Sequence, residues 1–304
     1  MRVGLVADDL TGACDSAAPF LAGRVLVGLW PHLPNGEAAC LAVSTESRHA
    51  PAEVCRRRSR EAAAHLLPLC DRLYAKLDSR LAGSPAAALA GMLEVWPGPC
   101  LVAPALPAEG RVTDGRRQRW PGGEADLAGL LAPLGGRVEV RDAASTDDLK
   151  AIAREVAARP EVLPAGSAGL AEALAPALGL GPPSRSWPAS HRPLALVGTP
   201  AARQQARVAR EAGFQVREPA AGEWTARDLD GFDALFLTGG ETAARVLAGL
   251  GAHSLELLGE LLPRVPVGRL LDGPRAGLVV ALKSGSFGAP DAIARSLARL
   301  QSGA

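Results

Sequence analysis

Short continuous apolar runs alternate with longer stretches bearing a single apolar stripe along nearly the whole chain. Residues 3–7, 24–29, 39–44, 72–76, 100–103, 137–141 and 161–165 read as strands buried on both faces, because their apolar positions do not alternate with polar ones. Between them, residues 13–21, 51–67, 85–95, 146–158 and 168–178 are rich in helix formers, and Asp147 and Asp148 suit the first turn of one helix. The segment 179–193 is proline-rich and aperiodic, as a linker would be. Beyond it the alternation resumes, with strands at 194–197, 234–238 and 278–283 and helices at 201–212, 241–250 and 291–300. The pattern predicts an α/β fold of two domains, each a mainly parallel sheet flanked by helices. The expected division is 1–180, a linker at 181–193, and 194–304. Ligands of such sheets sit at the carboxyl ends of strands, so a site in the cleft between the domains is expected.

Composition narrows the partners. Thirty-three basic residues against thirty-two acidic ones leave no global field for nucleic acid or anionic lipid. Aromatic residues at 4% make stacking platforms for single strands improbable. The five cysteines, Cys14, Cys40, Cys55, Cys70 and Cys100, form no C-x-x-C pair, and the five histidines show no ligand spacing. They are expected as small buried apolar residues and scattered polar ones. No export signal and no run long enough for a membrane helix is read, so the expectation is a cytoplasmic protein with neither nucleic-acid nor membrane partners.

Chemistry concentrates in strand-to-helix loops. Asp8-Asp9-Leu10-Thr11-Gly12 and Asp15 follow the first strand. A single N-cap aspartate would explain one of these carboxylates but not all three. Such acids can accept hydrogen bonds from a polyol or take a proton from a hydroxyl. Lys76, Asp78, Ser79 and Arg80 follow another strand and suit a small substrate bearing a carboxylate and hydroxyls. Arg48, in Thr45-Glu46-Ser47-Arg48, and Arg111 lie in further loops, whereas Arg116 to Arg119 read as an exposed hairpin arm. In the second domain Thr238-Gly239-Gly240-Glu241-Thr242, Lys283-Ser284-Gly285-Ser286 and Gly198-Thr199 each end a strand, and the glycines let backbone N–H groups approach an anion. Three such loops together favour a nucleotide phosphate site, although neither the P-loop nor the dinucleotide signature is present.

In order, ADDLTGACD, KLDSRLAGS, APALPAEGR, DAASTDDL, GSAGLAEAL, LTGGETA and LKSGSFGAPDA span residue 3 to about 292. The chain thereby resembles the four-carbon acid sugar kinase family: ATP-dependent threonate, erythronate and 3-oxo-tetronate kinases. The resemblance implies an acid-sugar-binding domain at 1–180 and an ATP-binding domain at 194–304, with transfer of a phosphoryl group to a hydroxyl of a small sugar acid in the cleft. By that resemblance Asp8, Asp9, Lys76, Asp78 and Ser79 would face the acid, with one of Asp8 and Asp9 orienting or deprotonating its hydroxyl. Arg48 and Arg111 would meet its carboxylate. Gly239, Gly240, Glu241, Thr242, Ser284 and Gly285 would hold the nucleotide, with Thr199 where the family places a serine. Mg2+ would bridge phosphate oxygens. The expected partners are thus the sugar acid and ATP, and a homo-oligomer is compatible with them.

Several positions depart from the family's pattern. The chain is shorter than the usual member; Arg80 replaces a Thr and Ala82 an Arg; Ser286 replaces a Gly and Ala289 an Asp. These changes keep open a second reading, a weak or inactive descendant that binds sugar acid or nucleotide as a sensor. A nicotinamide-dependent enzyme is a third, but it lacks the glycine fingerprint.

Overall fold

The computed structural model describes residues 1–181, 186–218, 224–285 and 287–303. The first part of the chain forms β1 (Val3–Ala7), β2 (Val25–Leu29), β3 (Cys40–Ser44), β4 (Arg72–Lys76), β5 (Cys100–Ala103), β6 (Val112–Asp114), β7 (Arg117–Trp120), β8 (Gly123–Asp126), β9 (Val138–Val140) and β10 (Leu163–Gly166). The remainder forms β11 (Pro193–Val197), β12 (Gln215–Arg217), β13 (Ala234–Thr238), β14 (Ser254–Leu262), β15 (Val265–Leu270) and β16 (Val279–Lys283). The helices are α1 (Leu10–Ala17), α2 (Ala52–Leu66), α3 (Pro85–Leu93), α4 (Leu127–Leu131), α5 (Thr146–Ala158), α6 (Ala168–Ala177), α7 (Arg203–Glu211), α8 (Gly240–Gly249) and α9 (Ala292–Ser302).

Two parallel blocks, β2-β3-β1-β4-β10-β5-β9 and β12-β11-β13-β16, are joined into one 13-stranded sheet. The hairpin β14–β15 makes the junction, pairing antiparallel with β16 on one side and β2 on the other. The two blocks therefore run in opposite senses. Six strand-to-strand steps separate β1 from β13, and a twist of about 20–25° per step turns one block roughly 130° relative to the other. That rotation offsets much of the antiparallel sense, and the carboxyl ends of both blocks face a common cleft.

One core runs along a single face through both blocks, joining Leu5, Val27 and Leu170 to Leu196, Leu237 and Val246. Separate clusters cover the opposite faces, under α2 and α3 in one block and under α7 and α9 in the other. The strands are buried on both faces, as their unbroken apolar runs predict.

The structure moves several expected boundaries. Helix α1 begins at Leu10, not at residue 13, because the Asp9 side chain accepts from Gly12 N at 2.9 Å and caps it. Strand β10 is shifted two residues beyond its expected start. Strands β12, β14 and β15 had no counterpart in the pattern: SLELLGELL is rich in helix formers, and burial on both faces removes the alternation that marks a strand. The expected linker overlaps residues 182–185, which lie outside the described residues, and Pro193 already opens β11. The basic run forms the central strand of a small antiparallel meander, where Arg117 and Arg119 pair with Glu124 at the surface. Cys14, Cys40, Cys55 and Cys100 are buried free thiols, and Cys70 is half-buried. Among the described residues no helix is long and apolar enough to cross a membrane.

Candidate active site in the cleft

The loop after β1 buries two adjacent carboxylates, Asp8 and Asp9. It is braced by the loop after β3, whose Thr45 N donates to Ala7 O at 2.8 Å and whose Ser47 N donates to Asp8 O at 2.9 Å. This bracing delivers Arg48. Its Nε and Nη2 grip Asp8 at 2.9 and 2.6 Å, and its Nη1 reaches Asp9 Oδ2 at 2.9 Å. Asp78 Oδ2 lies 3.8 Å from the same Nη1. Arg48 therefore spends its fork on three of the protein's own carboxylates.

The electrostatics differ among these acids. Burial pushes the Asp8 carboxyl up, although Arg48 opposes the shift. Burial would also raise Asp78, but Arg48, Lys76 and the backbone N–H groups of Arg80 and Ala82 hold it below the usual carboxylate range. Asp15, on the buried face of α1, is pushed up to about 6 by burial, against the pull of Lys76. Glu46 is pushed to about 7 by burial, although the Ser44 hydroxyl donates to it.

The Lys76 ammonium is buried at the end of β4 and makes no hydrogen bond among the described residues. It lies against Gly12, where an added Cβ would sit 2.9 Å from Nζ. Lys76, Asp15 and Ser79 line a small cavity of about 10 Å3, roughly the room for one water, in the floor of the cleft. Arg111 stands behind it, donating to the Ser79 hydroxyl with its guanidinium carbon 4.9 Å from the centre of the Phe287 ring.

The opposite wall comes from the second block. Gly239 opens α8 at φ +87°, a conformation that favours glycine, and no side chain caps this helix. The N–H groups of its first turn thus have no side-chain cap. Gly285 packs against Thr199, whose Cβ would lie 2.9 Å from an added Cβ. The cleft between the walls encloses about 810 Å3. Asp8, Asp9, Arg48 and Asp78 line one side; Thr199, Gly239, Gly240, Glu241, Thr242, Ser284 and Gly285 line the other. The two walls nearly touch at one point, where a methyl group on Gly240 would collide with Asp9 Oδ2.

With this geometry in view, comparison with known proteins is decisive. Residues 3–120 match a family described as a sugar-binding N-terminal domain, and residues 189–293 one described as a nucleotide-binding C-terminal domain. The chain is 30% identical to a D-threonate kinase of Cupriavidus necator, over 95% of each chain. It belongs to the four-carbon acid sugar kinase family.

A second relative, a D-threonate kinase of Bordetella bronchiseptica, is 28% identical over 97% of this chain and 96% of its own. That alignment runs to 407 positions, more than the 304 residues here, so the relative carries insertions that this family member lacks. A crystal structure of a Bordetella bronchiseptica protein, a domain-swapped dimer with bound citrate, is 26% identical with a TM-score of 0.52, covering 99% of this chain and 98% of that one. A Salmonella typhimurium protein described as a putative tRNA synthase shares the fold, with a TM-score of 0.76 at 18% identity, covering 97% and 98% of the two chains.

The departures from the family pattern fall unevenly on the structure. Arg80 and Ala82 both line the cleft, so the displaced guanidinium remains at its edge. Ala289 is exposed and borders a separate cavity of about 180 Å3 rather than the cleft. Asp291 is exposed at the start of α9, with Arg295 as a distant partner at 4.0 Å. Ser286 lies outside the described residues.

One cleft residue escaped the sequence reading, and so did the setting of another. Arg58 donates from Nη1 to the carbonyls of Thr45 and Glu46 at 2.9 and 2.8 Å. Its sequence context, CRRRSRE, reads as a solvated helix face. Glu46 was visible in its loop, but its burial was not; a backbone φ of +47° turns it into the cleft wall.

Proposed function

We propose that this protein is an ATP-dependent kinase that phosphorylates a hydroxyl of a small, four-carbon sugar acid such as threonate, erythronate or 3-oxo-tetronate. One observation carries the reading: Asp9, in the wall of the acid-rich loops, abuts Gly240 at the uncapped start of α8. A hydroxyl on Asp9 would thus stand beside an anion held by the helix. Phosphoryl transfer asks chiefly for such positioning and for neutralised charge.

On this reading residues 1–180 bind the acid and 194–304 bind the nucleotide, across the short connection at 181–193. The Lys76 ammonium, buried in the floor of the cleft, supplies the positive charge that draws the substrate carboxylate, while Asp78 accepts from its hydroxyls and Ser79 accepts or donates. Arg48 holds Asp8, Asp9 and Asp78 in place beside the acid. Arg111 fixes the Ser79 hydroxyl. Asp9 orients the attacking hydroxyl and receives its proton, with Asp8 as its buried neighbour. The backbone of Gly239 to Thr242, with Thr199, Ser284 and Gly285, holds the phosphates. Among the described residues no three His, Cys, Asp or Glu side chains group as metal ligands. Mg2+ would enter with the nucleotide beside the cleft carboxylates Asp8, Asp9 and Asp78 and would supply charge neutralisation there. The citrate-bound, domain-swapped relative supports a hydroxy-acid ligand and a homo-oligomer here.

The test is ADP release from Mg-ATP across four-carbon sugar acids and their 3-oxo forms. Acid-dependent turnover is expected. Silence across the panel, with ATP still binding in calorimetry, would replace the kinase with the binding descendant.

A further inference from the structure

Lys283 is the last residue of β16 and is 1% exposed. Its ammonium makes a single hydrogen bond among the described residues, to Ser284 O at 2.8 Å. Burial lowers it to about 8, with Glu109 pulling the other way. A lone buried cation with one neutral acceptor costs the fold stability, and an apolar side chain of similar length would cost less. A role outside stability is therefore called for.

That role is visible in what the residue holds. The carbonyl of Lys283 accepts from Gly239 N at 2.9 Å, which fixes the loop that opens α8. Its side chain fixes the other glycine loop through Ser284 O, which also accepts from Phe287 N at 3.3 Å. The chain then folds back over the lysine stem at Gly288, whose φ is +89° and whose added Cβ would lie 3.9 Å from Cε. A trans peptide points its N–H opposite to its C=O. With Ser284 O turned down onto the ammonium, the Gly285 N–H is turned away from it, on a residue that lines the cleft. No partner for this N–H exists among the described residues.

We infer that Lys283 is a positioning residue that locks the Gly239 and Gly285 loops into one phosphate-binding unit and aims the Gly285 N–H at the nucleotide. The inference rests on the kinase reading and extends it to a residue that touches neither substrate. Its buried charge adds a favourable field behind the same phosphates.

Lys283→Met and Lys283→Gln separate the alternatives, each measured in the full chain by Mg-ATP and D-threonate calorimetry and by thermal melting. For Lys283→Met we expect Mg-ATP affinity to fall about tenfold or more, D-threonate affinity to stay within about twofold, and Tm to hold or rise. Lys283→Gln keeps an N–H donor for Ser284 O and should recover part of the nucleotide affinity. Mg-ATP affinity within twofold of wild type in Lys283→Met overturns the inference. So does a joint loss of both ligands with a lowered Tm, which would mark the lysine as a general structural element. A wild-type chain that binds no Mg-ATP would overturn the kinase reading and this inference with it, so the two failures are told apart.

Discussion

Asp9 and Gly240 come from different blocks of the sheet, yet only the absent side chain of Gly240 lets the Asp9 carboxylate reach the first turn of α8. Asp9 Oδ2 already accepts from Thr11 and Arg48 and its Oδ1 from Gly12 N, so the carboxylate is fixed from three directions. Asp9→Asn keeps the shape and removes the charge. Turnover should fall by about 10²–10⁴-fold, with Mg-ATP affinity nearly unchanged. Steady-state kinetics and calorimetry on one preparation check this, and intact turnover would remove Asp9 from the mechanism.

Gly240→Ala probes the same contact from the other side. The methyl group forces Asp9 or the helix start to shift, at a cost of about 1–3 kcal/mol. Both kcat and the KM for ATP should worsen. If only stability changes, the close approach serves packing and not the reaction.

Arg48 keeps three buried or half-buried carboxylates together. Arg48→Met would leave them facing one another, a loss of about 3–5 kcal/mol at neutral pH. Burial already raises the Asp8 carboxyl against the pull of Arg48, and without the guanidinium its folded pKa rises further above the unfolded one. The penalty then exists above that folded value and is relieved as pH falls through it. Urea titrations at pH 8 and pH 5 should therefore show a larger deficit at pH 8. An equal deficit at both would mean that packing, not charge, is what Arg48 supplies.

Most of this arrangement was legible in the chain. The unbroken apolar runs at Val3–Ala7 and Ala234–Thr238 marked central strands, and the loops after them proved to face one cleft. What sequence could not reveal was pairing between distant strands. The hairpin β14–β15 carries no alternation, so neither it nor the fusion of the two sheets could be read. Nor could the engagement of Arg48, which the resemblance places at the substrate carboxylate and the structure surrounds with three of the chain's own carboxylates. Lys283 was hidden for a similar reason, because only burial distinguishes it from a solvated lysine at a strand end.

Glu46 gives a pH signature. Burial holds its carboxyl at about 7 against an ordinary 4.5, so the folded chain binds a proton that the unfolded chain releases across that interval. Stability from this group should be full below pH 4.5 and decline as pH rises to about 7. Asp15 acts in the same direction at a lower pH. Thermal melts between pH 5 and 8 should show a falling Tm, and Glu46→Gln should flatten part of the slope. An unchanged slope would assign the dependence to the other buried acids.

A buried acid sits at the junction between the blocks. Glu256 of β14 has a fully buried side chain, which Arg24 meets at 2.9 Å and Arg269 of β15 at 2.8 Å. Burial alone would raise its carboxyl, but the two arginines hold it below the usual range, so its stabilising effect is present above about 4.5 and fades as pH falls through the folded value. Both arginines are about half-exposed, and water can take them back when the acid is removed. Glu256→Gln should therefore cost about 1–3 kcal/mol, below the loss expected when a charge is left stranded in the core. The two blocks should still unfold together, because the core that runs from Leu5 and Val27 to Leu196 and Leu237 crosses the junction on one face. Urea unfolding followed by both tryptophan fluorescence and far-ultraviolet circular dichroism checks the point. Coincident, shifted transitions are expected in Glu256→Gln, and two separated transitions would show that this ion pair, not the shared core, makes the sheet one unit.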